Sequence, residues 1–148
     1  MRYRLLAASS LFAAAMLGVG ATPTLASAQT HADLVWSQLK KAYEVVNPQG
    51  FSSRNYIIGR MNDDASDSWT FTLSKGTEYK IVGACDKDCD DLDVEVLEDG
   101  NSIEKDVLTD DHPVVGFSAK KTVVYTIKVT MASCKADPCF FGFALFQK

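Results

Sequence analysis

Histidine is scarce in this sequence, and its two copies stand apart. His31 lies near the start of an apolar-patterned segment and His112 precedes Pro113. There is no His-x-x-x-His pair to hold zinc, no Gly-x-Ser-x-Gly turn to present a serine nucleophile and no glycine-rich phosphate loop. His112 beside Asp110 and Asp111 can be drawn as a base with its orienting acid, yet a histidine in an acidic surface loop is ordinarily just solvated. Lysine and arginine form no cluster beyond the pairs Lys40-Lys41 and Lys120-Lys121. Nucleic acid and anionic membrane surfaces, which select clustered cations, are therefore not expected partners.

Long apolar runs are also missing. The longest, Leu5 to Val19, is rich in Ala and shorter than the roughly 20 apolar residues that span a bilayer. Arg2 and Arg4 precede it, and Ala26-Ser27-Ala28 follows with the small residues a signal peptidase needs. Residues 1–28 are thus expected to be a secretory signal peptide cut after Ala28, with no membrane insertion afterwards and a periplasmic or secreted mature chain. No cysteine lies near the cut to carry a lipid. Removing Arg2 and Arg4 shifts the formal net charge from −4 to −6. The remaining 120 or so residues suffice for one core.

All four cysteines, Cys85, Cys89, Cys134 and Cys139, fall in the mature part. In an oxidising compartment an even set pairs. The local pairing, Cys85 with Cys89 and Cys134 with Cys139, is preferred because each pair brackets a short turn-like segment, with cross-pairing open. A four-cysteine zinc site is the rival, but its usual knuckle has two residues between ligands, where here there are three and four. The same gaps, with no βαβ pattern around them, do not match a Cys-x-x-Cys redox pair.

Leu34, Val35, Leu39, Ala42, Tyr43 and Val46 recur at helical spacing, opposite Asp33, Ser37, Lys40, Lys41 and Glu44. An amphipathic helix over residues 29–48 is expected, with Thr30 as N-cap, Asp33 in the first turn and Asn47-Pro48 with Gly50 ending it. After Gly50 the apolar period becomes two, and turn residues follow every eight to twelve positions, the pattern of an all-β sandwich over residues 49–148. Strands are expected near 52–61, 68–73, 77–84, 92–98, 102–108, 114–118, 123–132 and 140–147. Ser74-Lys75-Gly76 and Asp99-Gly100-Asn101 read as hairpin joints. The last strand, Phe140 to Phe146, is apolar on both faces. Either the helix covers its second face, or Phe140 and Phe146 stay exposed as a platform for a partner.

The ordered set Gly59, Asp67-Ser68-Trp69-Thr70-Phe71-Thr72-Leu73, Gly76-Thr77, Asp91-Leu92-Asp93-Val94, Gly100-Asn101 and Tyr125-Thr126-Ile127-Lys128-Val129 resembles the bacterial pre-peptidase C-terminal domain over residues 57–147. The resemblance implies a jelly-roll-like sandwich that in many members follows a secreted peptidase as an accessory or binding module. Here no peptidase precedes it, and the four cysteines and the helix depart from the pattern, so ligand preferences do not carry over.

The densest charge is Asp86, Asp88, Asp90, Asp91 and Asp93, wrapped around Cys89. Carboxylates converging in a disulfide-pinned turn would suit calcium, which takes six to eight oxygens, and some related modules bind it. The segment lacks the Gly and distal Glu of an EF-hand loop, and the simpler reading is that these acids cap turns, keep the protein soluble and hinder edge pairing. No cofactor is required by anything in the sequence. The expectation is a mainly β, antiparallel jelly-roll-like sandwich of about eight strands with one N-terminal helix, acting without catalysis as a binding or accessory module. Its ligand would be a protein, a polysaccharide or another envelope component. An envelope or secretion-associated structural protein is the alternative, and a secreted hydrolase or protease regulator comes third.

Overall fold

The computed structural model describes residues 25–148, with side chains from Gln29 onward. The expected signal peptide lies outside the described residues except for the backbone of its last four. One helix, α1 (Leu25–Val46), leads through a 3₁₀ turn at Asn47–Gln49 into eight strands: β1 (Ser52–Met61), β2 (Ser66–Leu73), β3 (Glu78–Cys85), β4 (Cys89–Glu98), β5 (Asn101–Asp106), β6 (Val114–Ser118), β7 (Val123–Cys134) and β8 (Cys139–Gln147). They pair antiparallel into two four-stranded sheets ordered β1-β8-β3-β6 and β2-β7-β4-β5. This is a jelly-roll β-sandwich.

Strict alternation makes the sandwich. Leu73, Leu92, Val94, Val96, Tyr125, Ile127, Val129 and Met131 of one sheet meet Tyr79, Ile81, Phe141, Phe143 and Leu145 of the other in one buried cluster. The intervening Thr126, Lys128 and Glu95 face outward, so each strand needs only one apolar row. Trp69 stacks obliquely on Phe141 and Phe143, with ring centroids 5.8 and 5.2 Å apart.

β8 is the exception the sequence foretold. Its second face, Phe140, Ala144 and Phe146, forms a separate cluster with Val35, Leu39, Ala42 and Val46 of α1, and with Phe51, Ile58, Val82 and Ala84. The helix therefore seals the strand. Phe146 is only 1% exposed and Phe140 half-buried, which overturns the exposed platform expected as an alternative. Gly142 makes this seat possible. A Cβ there would stand 2.8 Å from the Ile57 carbonyl oxygen, 2.9 Å from Val35 Cγ1 and 3.1 Å from Leu39 Cδ1.

Three local expectations change. The helix begins at Leu25, so Thr30 lies inside it rather than capping it. Its buried stripe is narrower than the periodicity suggested, because Leu34 and Tyr43 flank it and remain exposed. Ser74-Lys75-Gly76 is not a hairpin joint, since β2 and β3 belong to different sheets and this turn crosses between them. Asp99-Gly100 does close a hairpin, β4 to β5, with both residues at positive φ (51° and 78°), as a type I′ turn requires. At the other end of the helix, Gly50 at φ 92° donates to the Asn47 carbonyl and turns the chain into β1.

Both disulfides form locally, Cys85–Cys89 and Cys134–Cys139. Each ties a point where the chain crosses between sheets, β3 to β4 and β7 to β8. Cys89 and Cys134 are cross-strand neighbours, so the two bridges sit side by side at one end of the sandwich.

Candidate functional site

The acidic segment sits at this stapled end, and the fold divides it. Asp86 is 2% exposed. It continues β3 beyond the end of its ladder: its N–H donates to the Phe140 carbonyl (2.9 Å), and its Oδ2 accepts the Phe140 N–H (3.0 Å). The same Oδ2 accepts His31 Nδ1 at 2.6 Å, while Oδ1 accepts the Asp88 N–H at 3.1 Å. One carboxylate thus joins the crossover turn, the last strand and the helix. Asp88 Oδ2 lies 3.8 Å from His31 Nδ1, so His31, Asp86 and Asp88 place three ligand atoms within 4.8 Å of one another.

The other three acids go elsewhere. Asp90 pairs with Lys135 Nζ at 2.6 Å. Asp91 and Asp93 lie on β4, where Asp91 Oδ1 is shielded from solvent without a hydrogen-bond partner. Desolvation raises the pKa of Asp91, and Asp110 acts on it in both senses, its backbone hydrogen bond lowering the value and its charge raising it. Desolvation also raises that of Asp93, helped by repulsion from Asp91 and Asp106 and opposed by Lys128 and Lys105. Asp106 and Asp110 cap turns, accepting the N–H groups of Val114 (2.9 Å) and His112 (2.9 Å). Of the five carboxylates weighed as calcium ligands, Asp86 and Asp88 come together with His31, while Asp90, Asp91 and Asp93 have other neighbours. His112 Nδ1 donates to Asp111 Oδ1 at 2.6 Å with both side chains about half exposed. That is a solvated pair in a loop.

A second feature was not anticipated. Along the flank of α1, an open groove of about 180 Å³ is lined by Trp36, Leu39, Lys40, Tyr43, Ser53, Tyr56, Ala144 and Phe146. The Trp36 and Tyr56 rings lie 4.8 Å apart, and Tyr43 stacks near Phe146 at 6.3 Å. Trp36, Tyr43 and Tyr56 remain 37, 40 and 52% exposed. Lys40 Nζ stands 5.9 Å from the Trp36 ring. β1 is an edge strand, so the groove opens on a sheet margin rather than inside the sandwich. The sequence signal was Trp36 itself, a large aromatic off the helix's apolar stripe. Its partner Tyr56 is 20 positions away, and only the docking of helix on strand unites them.

Among the described residues no helix is long and apolar enough to cross a membrane. No protein-family model matches the chain. No curated protein matches it. Among solved structures it is similar to the crystal structure of Aeromonas hydrophila PliG, a periplasmic lysozyme inhibitor of g-type lysozyme. The TM-score is 0.51 at 10% identity, over 66% of this chain and 88% of that one. At this identity the likeness is one of fold.

Proposed function

We propose that the protein is an exported, non-catalytic module that binds a protein partner through the aromatic groove between α1 and β1. The observation that carries this is the continuous exposed row Trp36, Tyr56 and Tyr43 above a floor of Ala144 and Phe146. Tyr and Trp give large contact area at little cost in side-chain entropy, and they are enriched where proteins meet. The groove is mostly apolar, its polar groups being Lys40, Ser53 and the hydroxyls of Tyr43 and Tyr56. It suits an apolar side chain flanked by an acidic group that would meet Lys40. Export is supported by the leader pattern and the two disulfides. The similarly folded PliG is titled an inhibitor of a lysozyme, hence a protein binder.

The test is affinity capture from the envelope fraction with the mature protein, then titration of the purified captured protein against wild type, Trp36→Ala and Tyr56→Ser. Each substitution should weaken binding at least about tenfold, the loss of a hot-spot aromatic, with the fold intact by circular dichroism. Equal affinity of all three proteins, or sedimentation with cell-wall polysaccharide in place of a protein, would overturn the reading.

A further inference from the structure

We propose that the partner protein enters as an extended acidic segment, which adds a strand to the free edge of β1. The inference rests on the reading of the aromatic groove as a protein-binding face and names the form of chain that face takes. β1 ends the sheet ordered β1-β8-β3-β6, so one side of its backbone has no strand beside it. Its register with β8 is unbroken from Asn55 to Met61, and no proline interrupts it. The Tyr56 N–H donates to Asn55 Oδ1 (2.8 Å), which leaves it outside the ladder with β8. Antiparallel neighbours alternate between bonded and unbonded pairs, so Tyr56, Ile58 and Arg60 turn their N–H and carbonyl groups to the free edge. Such an edge is a template for a further strand, whose main chain gives affinity and whose alternate side chains give specificity.

Groove and charge together select what is added. Tyr56 stands on the helix side of the sheet against Trp36, so every second side chain of a strand laid about 4.8 Å beyond β1 meets the aromatic row. The chain as a whole has a formal net charge of −4, yet no acid occurs from Asn47 to Asn62, the stretch that holds Arg54 and Arg60. Lys40 is the one charged residue lining the groove. Arg54 is held by Gln147 Oε1 and the Thr72 carbonyl, 2.8 Å from each, which ties the start of β1 to β2. The acid nearest the other end, Asp63, is engaged in accepting the Cys134 N–H. Arg60 is exposed. A segment with an apolar side chain at the groove and carboxylates towards Lys40 and Arg60 matches this edge. A second copy of β1 would set cations against cations, which destabilises a strand pair.

The probe is the end-blocked peptide Glu-Thr-Glu-Thr-Leu-Thr-Glu-Thr-Glu, compared with a counterpart carrying Lys for every Glu. Each is titrated into the mature protein while nuclear magnetic resonance follows hydrogen exchange at single amides. The acidic peptide should bind saturably and slow exchange at the Ile58 and Arg60 amides at least about tenfold, as new hydrogen bonds do. The lysine peptide should bind at least about tenfold more weakly, and Arg60→Glu, folded by circular dichroism, should narrow or reverse that preference. Strand addition is overturned if the acidic peptide does not bind, binds no better than its lysine counterpart, or leaves those two amides unprotected. It is overturned as well if their protection rises with protein concentration in the absence of peptide, which would assign the edge to a second copy. Peptide binding that needs Trp36 but leaves the edge amides unprotected sinks strand addition alone, whereas binding untouched by Trp36→Ala sinks the groove reading with it.

Discussion

Asp86→Ala should be among the most damaging substitutions in the chain, although it removes a polar residue from a turn. Three donors lose their acceptor: the Phe140 N–H (3.0 Å), the Asp88 N–H (3.1 Å) and His31 Nδ1 (2.6 Å). The Phe140 N–H is closed in by the turn and the helix, and an orphaned buried donor costs about 1–3 kcal/mol. Asp88 lies nearer the surface and can recruit water, so its share is about 1 kcal/mol. His31, with its side chain 18% exposed, can turn outward, which leaves mainly the loss of the helix anchor, again about 1 kcal/mol. The total is about 3–5 kcal/mol. Urea unfolding of the mature protein, followed by far-ultraviolet circular dichroism, measures it directly. A double-mutant cycle with His31→Ala should show coupling of about 1 kcal/mol or more, as expected for residues in contact. A loss below about 1 kcal/mol for Asp86→Ala would mean that solvent reaches this carboxylate and the three-way joint described above does not hold.

Other outcomes follow from the same geometry. Gly142→Ala should destabilise the protein by about 1–3 kcal/mol through overpacking against the Ile57 carbonyl and Val35, read as a lower urea midpoint; an unchanged midpoint would show that α1 does not seat so closely. Asp91→Asn should raise the melting temperature at pH 7. The folded-state pKa of Asp91 is raised, so its ionisation penalty is absent below the unfolded value, grows as pH rises through the folded value and is complete above it. The advantage of the variant should therefore fade on acidification towards pH 4, about the unfolded value for an aspartate, and a variant less stable at pH 7 would refute the assignment. Millimolar calcium should move the melting temperature no further than magnesium does, because Asp86 and Asp88, Asp90, and Asp91 with Asp93 have separate neighbours. A calcium-specific rise reversed by chelator would show that these groups can be drawn together.

The strands were legible because each carries its own instruction. In Trp69, Phe71 and Leu73, or Val123 to Met131, inward and outward rows alternate irrespective of the partner, and the observed bounds lie within three residues of the expected ones. The sheet in which each strand sits was less accessible. Ser74-Lys75-Gly76 has the turn chemistry of a hairpin, but the same residues serve a crossing between sheets, and local propensity cannot tell these apart. The two-faced β8 did disclose the helix's berth, since an apolar row and an apolar stripe were both without cover. For the acidic segment, neighbourhood in sequence does not give neighbourhood in space. The crossover and the alternation of β4 send adjacent carboxylates to different surroundings, and the residue that joins Asp86 and Asp88 is His31, 55 positions before Asp86. The jelly-roll arrangement does not bear on the resemblance to the pre-peptidase C-terminal domain, because many unrelated families share that architecture and no family model matches the chain.

The proposal that Trp36, Tyr43 and Tyr56 form the binding face is tested most directly by site-specific photo-crosslinking in the intact envelope. A crosslinking residue at position 56 is compared with one at position 124, where Val124 is exposed on the opposite sheet. Position 56 should trap one defined protein, position 124 should not, and Trp36→Ala should abolish the adduct. Trapping of that protein from position 124, or an adduct at position 56 that survives Trp36→Ala, would contradict the account.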